Sequence, residues 1–495
     1  MDTRQKKIAI IGAGVAGMVA ALELSKGGAK VVVFEKSSKA GGRAQTTHKE
    51  GYYLNFGPHA LYAGGLAHRY LQNNGIDYRG AAPPLNRENL AIFAGEVYEL
   101  PVNLSSLFRA TYLNWSEKIE LARFFRRLPH LDLDKIMSTS LAQWLKVNVK
   151  RTRVRQTIET FVRLSTYANS PQELSAGAAF AQVILANQGV LYLDHGWQTI
   201  VESIQRKLNS ESTSFRYGAQ VQSVKQLADA VEILVDEETF LFDAVLLCIP
   251  PQEVEKLLPD ALSGQALSTC RAACLDVCLK RLPRPKHTFA LGVDEPLYYS
   301  VHSTTAKLAD GEGVLIHLAY YLEPRDNRDD HEERLLRLLG QLQPGYEREL
   351  VYKRYLPHMV ASYGLPRADL AGGSGLESPS LDGYPSIFVC GDYVGRGWQL
   401  VDCAVNSSLE AVQTVLASRD EGVYGRWQEN AASATVESQG ERALGGGNCA
   451  LLESRNWRLN CRVLFFFRQF IGGYFDLLKL CFRQIVIFDQ SLNKT

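Results

Sequence analysis

Three glycines near the N-terminus, Gly12, Gly14 and Gly17, stand between an apolar run and a helical pattern. The run from Ile8 to Ile11 predicts a buried parallel strand, and Val15 to Lys26 predicts the helix that follows it. Gly12 permits the tight turn, Gly14 lets the backbone approach a phosphate, and Gly17 allows close packing of helix on strand. This unit predicts an α/β fold built on a mostly parallel sheet.

A carboxylate follows at the distance that such a unit requires. The run from Val31 to Glu35 predicts a second strand, and Glu35 lies 18 residues beyond Gly17. There it can accept hydrogen bonds from ribose hydroxyls, while a pyrophosphate sits on the helix N-terminus, which favours an anion. The glycine turn could be glycine-rich for structural reasons alone. Its position between a strand and a helix, together with the acidic residue, instead favours a dinucleotide-binding site. The acid also disfavours NADP, because its charge would face the 2′-phosphate.

The composition bounds the remaining possibilities. The 495 residues suffice for about two or three domains, and 54 Lys and Arg against 53 Asp and Glu give no argument for nucleic-acid binding. Nine cysteines, an odd number spread over a long chain with no regular disulfide framework, indicate reduced thiols in a cytoplasm-like compartment. The chain runs directly into its first strand, so we expect no signal peptide. No run reaches the ~18 apolar residues of a spanning helix, so we expect cytoplasmic localisation with at most peripheral membrane contact.

The middle of the chain predicts further elements. Residues 86–170 are helical and basic in pattern, with amphipathic segments at 115–127 and 140–145. We expect a helical lobe whose basic face is a solvated surface, with a binding patch as the alternative. A helix follows Gly196, two hairpin strands lie at 219–224 and 231–235, and buried strands lie at 243–249 and 387–390.

These segments predict an α/β architecture, α+β overall, in which a Rossmann-type nucleotide-binding domain is interleaved with a substrate domain. The substrate domain combines a mixed sheet, helices and the helical lobe. The predicted segments are 1–65, 196–270 and 380–422 for the nucleotide-binding domain, 66–195 and 271–379 for the substrate domain, and 423–495 for a linker and amphipathic C-terminal extension.

Taken together, the motifs resemble the flavin-dependent amine oxidase and phytoene desaturase superfamily over roughly residues 6–420. The resemblance rests on the glycine turn, on Gly41-Gly42-Arg43, on Gly57-Pro58-His59, on 244–251 and on Gly391-Asp392 with the segment that follows. The segment 391–404 is most similar to the desaturase and protoporphyrinogen-oxidase-like branch. The resemblance implies that the cofactor is FAD.

The resemblance also assigns residues to the cofactor. Arg43 would supply a cation, Asp392 would hold the ribityl or phosphate region, and the helix start at Val401 would face the flavin's pyrimidine carbonyl. The backbone at Val221 would meet the adenine, while a capping or turn role remains the alternative for Asp392. The full set of implied cofactor-binding residues is Gly12, Gly14, Ala16, Gly17, Glu35, Lys36, Gly41, Gly42, Arg43, Gly57, Pro58, His59, Ala60, Val221, Gly391, Asp392, Leu400, Val401 and Ala404.

The family's chemistry is hydride removal from a substrate to the flavin. Amine oxidases typically place a tyrosine at the position of Leu400 and a lysine early in a substrate-domain strand, where this chain has alanines and Lys280 falls at the far end. The resemblance therefore implies an FAD-dependent oxidoreductase acting on a C–C bond or ring of a hydrophobic small molecule. An amine or amino-acid oxidase that releases hydrogen peroxide and a non-catalytic flavin-binding protein remain the alternatives.

His59 is the candidate catalytic side chain, because Gly57 and Pro58 would carry the backbone close to the flavin ring; the alternative is that it only holds a loop. Cys270, Cys274 and Cys278 recur every four residues, but without further ligands they favour buried apolar packing, and we expect no metal.

The segment 457–488 forms a helical pattern with a broad apolar face, which predicts possible peripheral membrane contact. A helix docked on the body, or an extension without a role, is the alternative. The expected partner is a hydrophobic small molecule rather than nucleic acid, and the sequence does not specify an oligomeric state.

Overall fold

A computed structural model describes residues 5–84, 88–208, 211–265, 267–326 and 328–417. The strands are β1 (Lys7–Ile11), β2 (Lys30–Glu35), β3 (Thr46–Lys49), β4 (Tyr52–Asn55), β5 (Leu61–Tyr62), β6 (Gly80–Ala81), β7 (Leu90–Phe93), β8 (Glu96–Glu99), β9 (Val190–Leu193), β10 (Thr213–Tyr217), β11 (Val221–Gln226), β12 (Val231–Val235), β13 (Glu238–Phe242), β14 (Ala244–Leu247), β15 (Cys270–Leu279), β16 (Phe289–Gly292), β17 (Leu297–Val301), β18 (Val314–Tyr321), β19 (Leu350–Ser362), β20 (Ser380–Leu381) and β21 (Tyr384–Val389). The helices are α1 (Val15–Lys26), α2 (Leu66–Asn73), α3 (Leu104–Arg109), α4 (Trp115–Arg127), α5 (Leu141–Asn148), α6 (Thr152–Thr166), α7 (Ala176–Ala186), α8 (Gln198–Lys207), α9 (Pro251–Leu257), α10 (His331–Leu342) and α11 (Leu400–Ala417).

The predicted nucleotide-binding elements form one six-stranded sheet in the order β10-β2-β1-β14-β21-β20. All its pairs are parallel except the one between β20 and β21. Its strands are rich in Val, Ile and Leu because both faces are covered. One face packs against α1, α8 and α11, and the other against the three-stranded sheet of β11, β12 and β13. The predicted parallel sheet is confirmed.

A second sheet of seven strands has the order β19-β15-β18-β17-β16-β7-β8 and is antiparallel except between β16 and β7. Its members β7 and β8 correct the prediction for 86–170, where only helices were expected. A tight turn with positive φ at Ala94 (51°) and Gly95 (77°) joins the two strands. The short apolar run at 90–93 pairs with β16, so tertiary contact decides its conformation.

The helical lobe, here α3 to α7, packs on the second sheet around a core of Leu, Ala and Phe side chains. Its helices begin where the sequence supplies side-chain caps: Asn103, Asn114, Ser140 and Ser175 each accept a backbone hydrogen bond from the first turn. The predicted amphipathic helices at 115–127 and 140–145 are confirmed as α4 and α5.

The predicted domain boundaries stay predictions. In the part of the chain with described coordinates, no helix combines the length and the apolar character that a membrane crossing requires. The predicted extension at 423–495, with its helix at 457–488, lies outside the described residues.

Candidate functional site

A cavity of about 650 Å³ opens at the carboxyl ends of the parallel strands, between the two large sheets. Most residues assigned from sequence reach its wall: Gly12, Gly14, Ala16, Glu35, Lys36, Gly41, Gly42, Arg43, Pro58, His59, Ala60, Val221, Gly391, Asp392, Leu400, Val401 and Ala404. Gly17 and Gly57 do not line it. A Cβ on Gly17 would lie 2.0 Å from the carbonyl oxygen of Gly12, so Gly17 serves helix packing, as expected.

The glycine turn leaves space for a ligand. A Cβ placed on Gly14 would meet no atom within 4 Å, although the residue lies in the cavity wall at the N-cap of α1. Gly14 has ordinary extended φ and ψ values and no side-chain capping bond, so its lack of a side chain is not needed for backbone conformation. The open space at a helix N-terminus fits a phosphate that approaches the backbone.

Glu35 ends β2 beside this turn. One carboxylate oxygen accepts a bond from the Ala13 N–H at 2.8 Å, and the other accepts one from the Ser37 N–H at 2.9 Å. These bonds fix the side chain, which is 7% exposed, in the cavity wall. Each oxygen keeps further acceptor capacity, so the carboxylate can still accept ribose hydroxyls.

Arg43 and Asp392 form an ion pair with each other. The sequence had assigned the two residues separate roles in binding the cofactor. The Arg43 guanidinium donates to Asp392 at 2.8 Å and to the carbonyl of Ala361 at 3.0 Å. Burial opposes the charge of Arg43, but Asp392 outweighs that effect and raises the pKa of the guanidinium. The Arg43 side chain is 40% exposed, toward the cavity, whereas that of Asp392 is 2% exposed.

Asp392 also shows a polar group without a partner. Its Oδ2 accepts from Arg43 and from the N–H of Tyr363, while its Oδ1 is buried with no hydrogen-bond donor among the described residues. A buried carboxylate oxygen without a donor is costly, and a ligand hydroxyl would satisfy it. A polyol such as a ribityl chain fits this position.

The helix α11 begins at the opposite side of the same wall. Leu400 has a positive φ of 55° and, together with Val401 and Ala404, faces the cavity. The next residue, Asp402, turns away and accepts a 2.8 Å bond from the Ala67 N–H at the start of α2, with burial raising the pKa of its carboxyl to about 6. The N-terminus of α11 can therefore favour negative charge on a ligand, as the resemblance implies.

Val221 lies where β11 departs from regular pairing. The register with β12 shifts between Val221 and Ser223, which interrupts the hydrogen-bond ladder at the edge of the cavity. The backbone there is accessible to a ligand, which is consistent with the predicted adenine contact.

Another part of the lining, which we call the substrate wall, consists of Tyr167 and of the lining residues within 56–62 and 359–363. The remaining lining, from the parallel-sheet domain, is the cofactor wall. Among the described lining residues, the charged side chains are Glu35, Lys36, Arg43, Glu253, Lys256 and Asp392, and all belong to the cofactor wall. The substrate wall is aromatic and apolar.

Sequence reasoning missed most of the substrate wall. Phe56, Tyr62, Tyr167, Met359 and Tyr363 line it but come from segments far apart in sequence. Phe56 adjoins the assigned Gly57-Pro58-His59 motif, which could have drawn attention to it. Nothing in the local sequence distinguishes Tyr167 or Met359 from packing residues.

His59 belongs to the substrate wall and contacts Trp197 of the cofactor wall. Its Nδ1 lies 3.1 Å from the carbonyl oxygen of Gly57, and its ring meets Trp197 edge to face at 5.2 Å. Burial lowers the pKa of the imidazole to about 4. With Nδ1–H donating to Gly57, the neutral ring presents Nε2 as an acceptor.

A charge network centred on the fully buried Asp276 and His317 supports this loop from the second sheet. Asp276 on β15 accepts from His317 at 2.6 Å and from the Arg354 Nε at 3.0 Å. Burial opposes ionisation of Asp276, yet His317 and Arg354 hold the pKa of its carboxyl below the usual value. Arg354 also donates to the carbonyl of Asn55, two residues before Gly57. The network therefore fixes the backbone that leads to His59.

The three recurring cysteines, Cys270, Cys274 and Cys278, lie on β15 rather than on a helix, and all are buried. Among the described residues no group of His, Cys, Asp and Glu is arranged to hold a metal ion.

Comparison with known proteins identifies one family over most of the described chain. The model of the family described as flavin containing amine oxidoreductase matches residues 15–416. A 1-hydroxycarotenoid 3,4-desaturase of Flavobacterium sp. (strain P99-3) is 24% identical over 278 residues, which cover 49% of this chain and 56% of that protein. The chain spans about half the length of this relative.

Solved structures agree with the fold. An oxidoreductase from Methanosarcina mazei superposes with a TM-score of 0.65 at 16% identity, covering 82% of this chain and 100% of that chain. A putrescine oxidase bound to putrescine superposes with a TM-score of 0.65 at 18% identity, covering 84% of this chain and 99% of that chain. At these identities the likeness concerns the fold.

Proposed function

The chain belongs to the family of flavin-containing amine oxidoreductases, and from that premise we propose that it is an FAD-dependent oxidoreductase acting on a C–C bond or ring of a hydrophobic small molecule. The observation that carries this proposal is the substrate wall, which brings aromatic and apolar side chains to the cavity and, among the described residues, no charged one. A carboxylate substrate would leave water for this wall without a partner charge, which is costly, and the wall offers a protonated amine no carboxylate.

The residues of the cofactor wall fit FAD. Gly14 leaves open space for the pyrophosphate, Glu35 retains acceptor capacity for the ribose, and Asp392 has a buried oxygen that a ribityl hydroxyl would satisfy. When bound there, FAD supplies the electron acceptor for the hydride that leaves the substrate.

The protein's own part is to orient the substrate, exclude water and receive a proton. Aromatic faces of Phe56, Tyr62 and Tyr167 would orient a planar or polyene substrate. Removal of a hydride from one carbon of a C–C bond leaves a proton to be lost from the next. We assign this proton to His59 Nε2; the neutral ring, with its other nitrogen bonded to Gly57, supports the assignment.

An amine or amino-acid oxidase is the second candidate. It is favoured by the family and by the fold shared with a putrescine oxidase. Against it, Leu400 stands at the position where this resemblance would place an aromatic cage residue. A non-catalytic flavin-binding role is the third candidate, and it predicts binding of FAD without turnover.

The decisive experiment is an anaerobic screen of the FAD-loaded protein. Loss of the oxidised flavin absorbance on addition of an apolar ring or polyene substrate, and not of primary amines or amino acids, supports the proposal. Loss of absorbance with an amine, followed by hydrogen peroxide when air is admitted, would replace it with the second candidate. A protein that binds FAD but shows no loss of absorbance with either substrate class would favour the third.

We further propose a cytoplasmic location with a hydrophobic small molecule as partner and no nucleic acid. The six cysteines in the described ranges are free thiols, which supports a reducing compartment.

A further inference from the structure

The outward side of the helical lobe exposes large apolar side chains close together. Trp115 is 65% exposed, Phe108 is 44% exposed and Ile119 is 42% exposed. The rings of Phe108 and Trp115 meet edge to face at 5.6 Å, and Ile119 follows Trp115 by one turn of α4. Clustered exposure of this kind marks an interaction surface more often than isolated apolar residues do.

This cluster is fixed before any partner arrives. The ammonium group of Lys118 donates to the carbonyl of Phe108 at 2.6 Å and lies 5.2 Å from the ring of Trp115. The Lys118 side chain lies between α3 and α4, where the residue is only 8% exposed, and this burial lowers the pKa of its ammonium group. The apolar side chains are therefore presented by a braced helix pair, and little side-chain freedom is lost when they are covered.

The same face of α4 continues in arginines. At 100° per residue, Trp115, Ile119, Arg123, Arg126 and Arg127 fall within an arc of about 120°. All five are exposed, and none of the three arginines forms an ion pair with a described residue. Residues 115–155 hold ten Lys and Arg against four Asp and Glu, although the whole chain has 54 against 53.

We propose that this outer face, formed by Phe108, Trp115, Ile119, Arg123, Arg126 and Arg127, docks on a bilayer that contains anionic phospholipids. Tryptophan and aliphatic side chains enter the headgroup region, while the arginines meet the lipid phosphates and the negative surface potential. A nucleic acid would use the arginines but would gain nothing from Ile119. The surface thus combines apolar side chains with cationic ones, and a bilayer with anionic lipids attracts both.

The inner side of the lobe connects this surface to the cavity. The helices α4 and α6 pack together, with the rings of Phe125 and Phe161 at 5.4 Å. Tyr167, directly after α6, lines the substrate wall. Docking would hold the cavity near the reservoir of a lipid-soluble substrate, yet the surface is inferred from the lobe alone and does not depend on the proposed reaction.

The test is co-sedimentation of the full-length, FAD-loaded protein with vesicles of phosphatidylcholine, with and without phosphatidylserine. We expect sedimentation with the mixed vesicles, less with phosphatidylcholine alone, and a decrease at high salt. The double substitution Trp115→Ser with Ile119→Ser should lower the partition coefficient roughly tenfold, and Arg126→Glu should lower it by a similar factor.

Matched controls are Leu241→Ser, which removes an apolar side chain 53% exposed on β13, and Arg348→Glu, which reverses an exposed charge elsewhere. Both should sediment like the parent, and all variants should retain FAD and thermal stability. Absence of parent sedimentation overturns the proposal. So does sedimentation that the lobe variants leave unchanged, because binding would then reside elsewhere in the chain. Equal binding of a DNA duplex, unaffected by the Trp115 and Ile119 changes, would assign the face to a polyanion instead.

Discussion

The two walls of the cavity are built on different principles. The cofactor wall presents backbone, glycine and six charged side chains, several of them held by specific bonds, such as that from the Ala13 N–H to Glu35. The substrate wall presents rings and aliphatic groups from segments that are far apart in sequence. A charged nucleotide needs fixed donors and acceptors, whereas an apolar molecule needs shape. The class of cofactor can therefore be predicted from sequence motifs, whereas the shape of the substrate site depends on the packing of distant segments.

The largest predicted effect is a loss of stability on substitution of Gly17, a glycine of the turn that serves helix packing rather than cofactor binding. Gly17→Ala places a methyl group 2.0 Å from the Gly12 carbonyl oxygen, so α1 must move away from β1. We expect the apoprotein to lose about 3 kcal/mol of unfolding free energy, measured by urea denaturation. Gly340→Ala, in α10 with no atom within 4 Å of the new Cβ, is the control and should not destabilise. Equal stability of the two variants would contradict the packing role.

Gly14→Ala should act on the cofactor alone. The new Cβ meets no protein atom within 4 Å, so the unfolding free energy of the apoprotein should change by less than about 0.5 kcal/mol. FAD affinity should fall about tenfold or more, because the methyl group occupies the space that a pyrophosphate must approach. Fluorescence titration with FAD measures it. An unchanged Kd would show that the nucleotide does not lie on this turn.

Arg43→Gln tests the ion pair at the junction of the two walls. It leaves Asp392, 2% exposed, without its cation, and we expect a loss of about 1–2 kcal/mol of unfolding free energy. The loss should be smaller than for a fully buried pair, since the Arg43 side chain is 40% exposed. In a double-mutant cycle, adding Asp392→Asn to Arg43→Gln should restore part of the lost free energy of unfolding. Strictly additive losses would show that the pair is not coupled.

The smallest effect concerns His59, where the walls meet. Burial lowers the pKa of its imidazole from 6.5 to about 4, so protonation favours the unfolded chain. The neutral His59 ring contributes fully to the free energy of unfolding above pH 6.5, and this contribution declines as the pH falls toward 4. We expect a loss of only about 1 kcal/mol, because the half-buried ring is partly solvated. His59→Asn should flatten the apoprotein's urea-denaturation profile between those pH values, whereas the exposed His130→Asn should not. A parent profile already flat over this interval would refute the shift.

The same contrast explains which elements could be predicted. The helix α1 was predicted with the bounds that it has, because Gly14 before it and Gly27 after it stop the pattern locally. The strands β7 and β8 were missed within a region that reads as helical. Their four-residue runs carry too little periodicity, and pairing with β16 gives them their form.

The site residues likewise divide into those that local sequence predicted and those that only tertiary contacts revealed. The glycine turn, Glu35 and Asp392 were assigned to the cofactor from local spacing and family resemblance, and the structure brings them to one cavity wall. Their roles in binding stay predictions until FAD is titrated. The pairing of Arg43 with Asp392 was not predicted, because the two residues are 349 positions apart.

The exposed face of α4 was expected to be an ordinary solvated basic surface. The sequence contains its arginines, but it does not show that Trp115 and Phe108 remain uncovered after folding. Only the packed lobe decides that, since an amphipathic pattern cannot distinguish a buried aromatic residue from one left outside.

The sequence by itself determined the glycine turn and the individual strands of the parallel sheet, because each depends on residues close in the chain whose backbone geometry is restricted, and the resemblance of several such motifs to one family indicated the cofactor. The tertiary structure alone decided the composition of the substrate wall, the Arg43–Asp392 pair and the exposure of Trp115. Such features arise where distant segments meet, and contacts between distant segments are fixed by packing of the whole fold rather than by any local pattern.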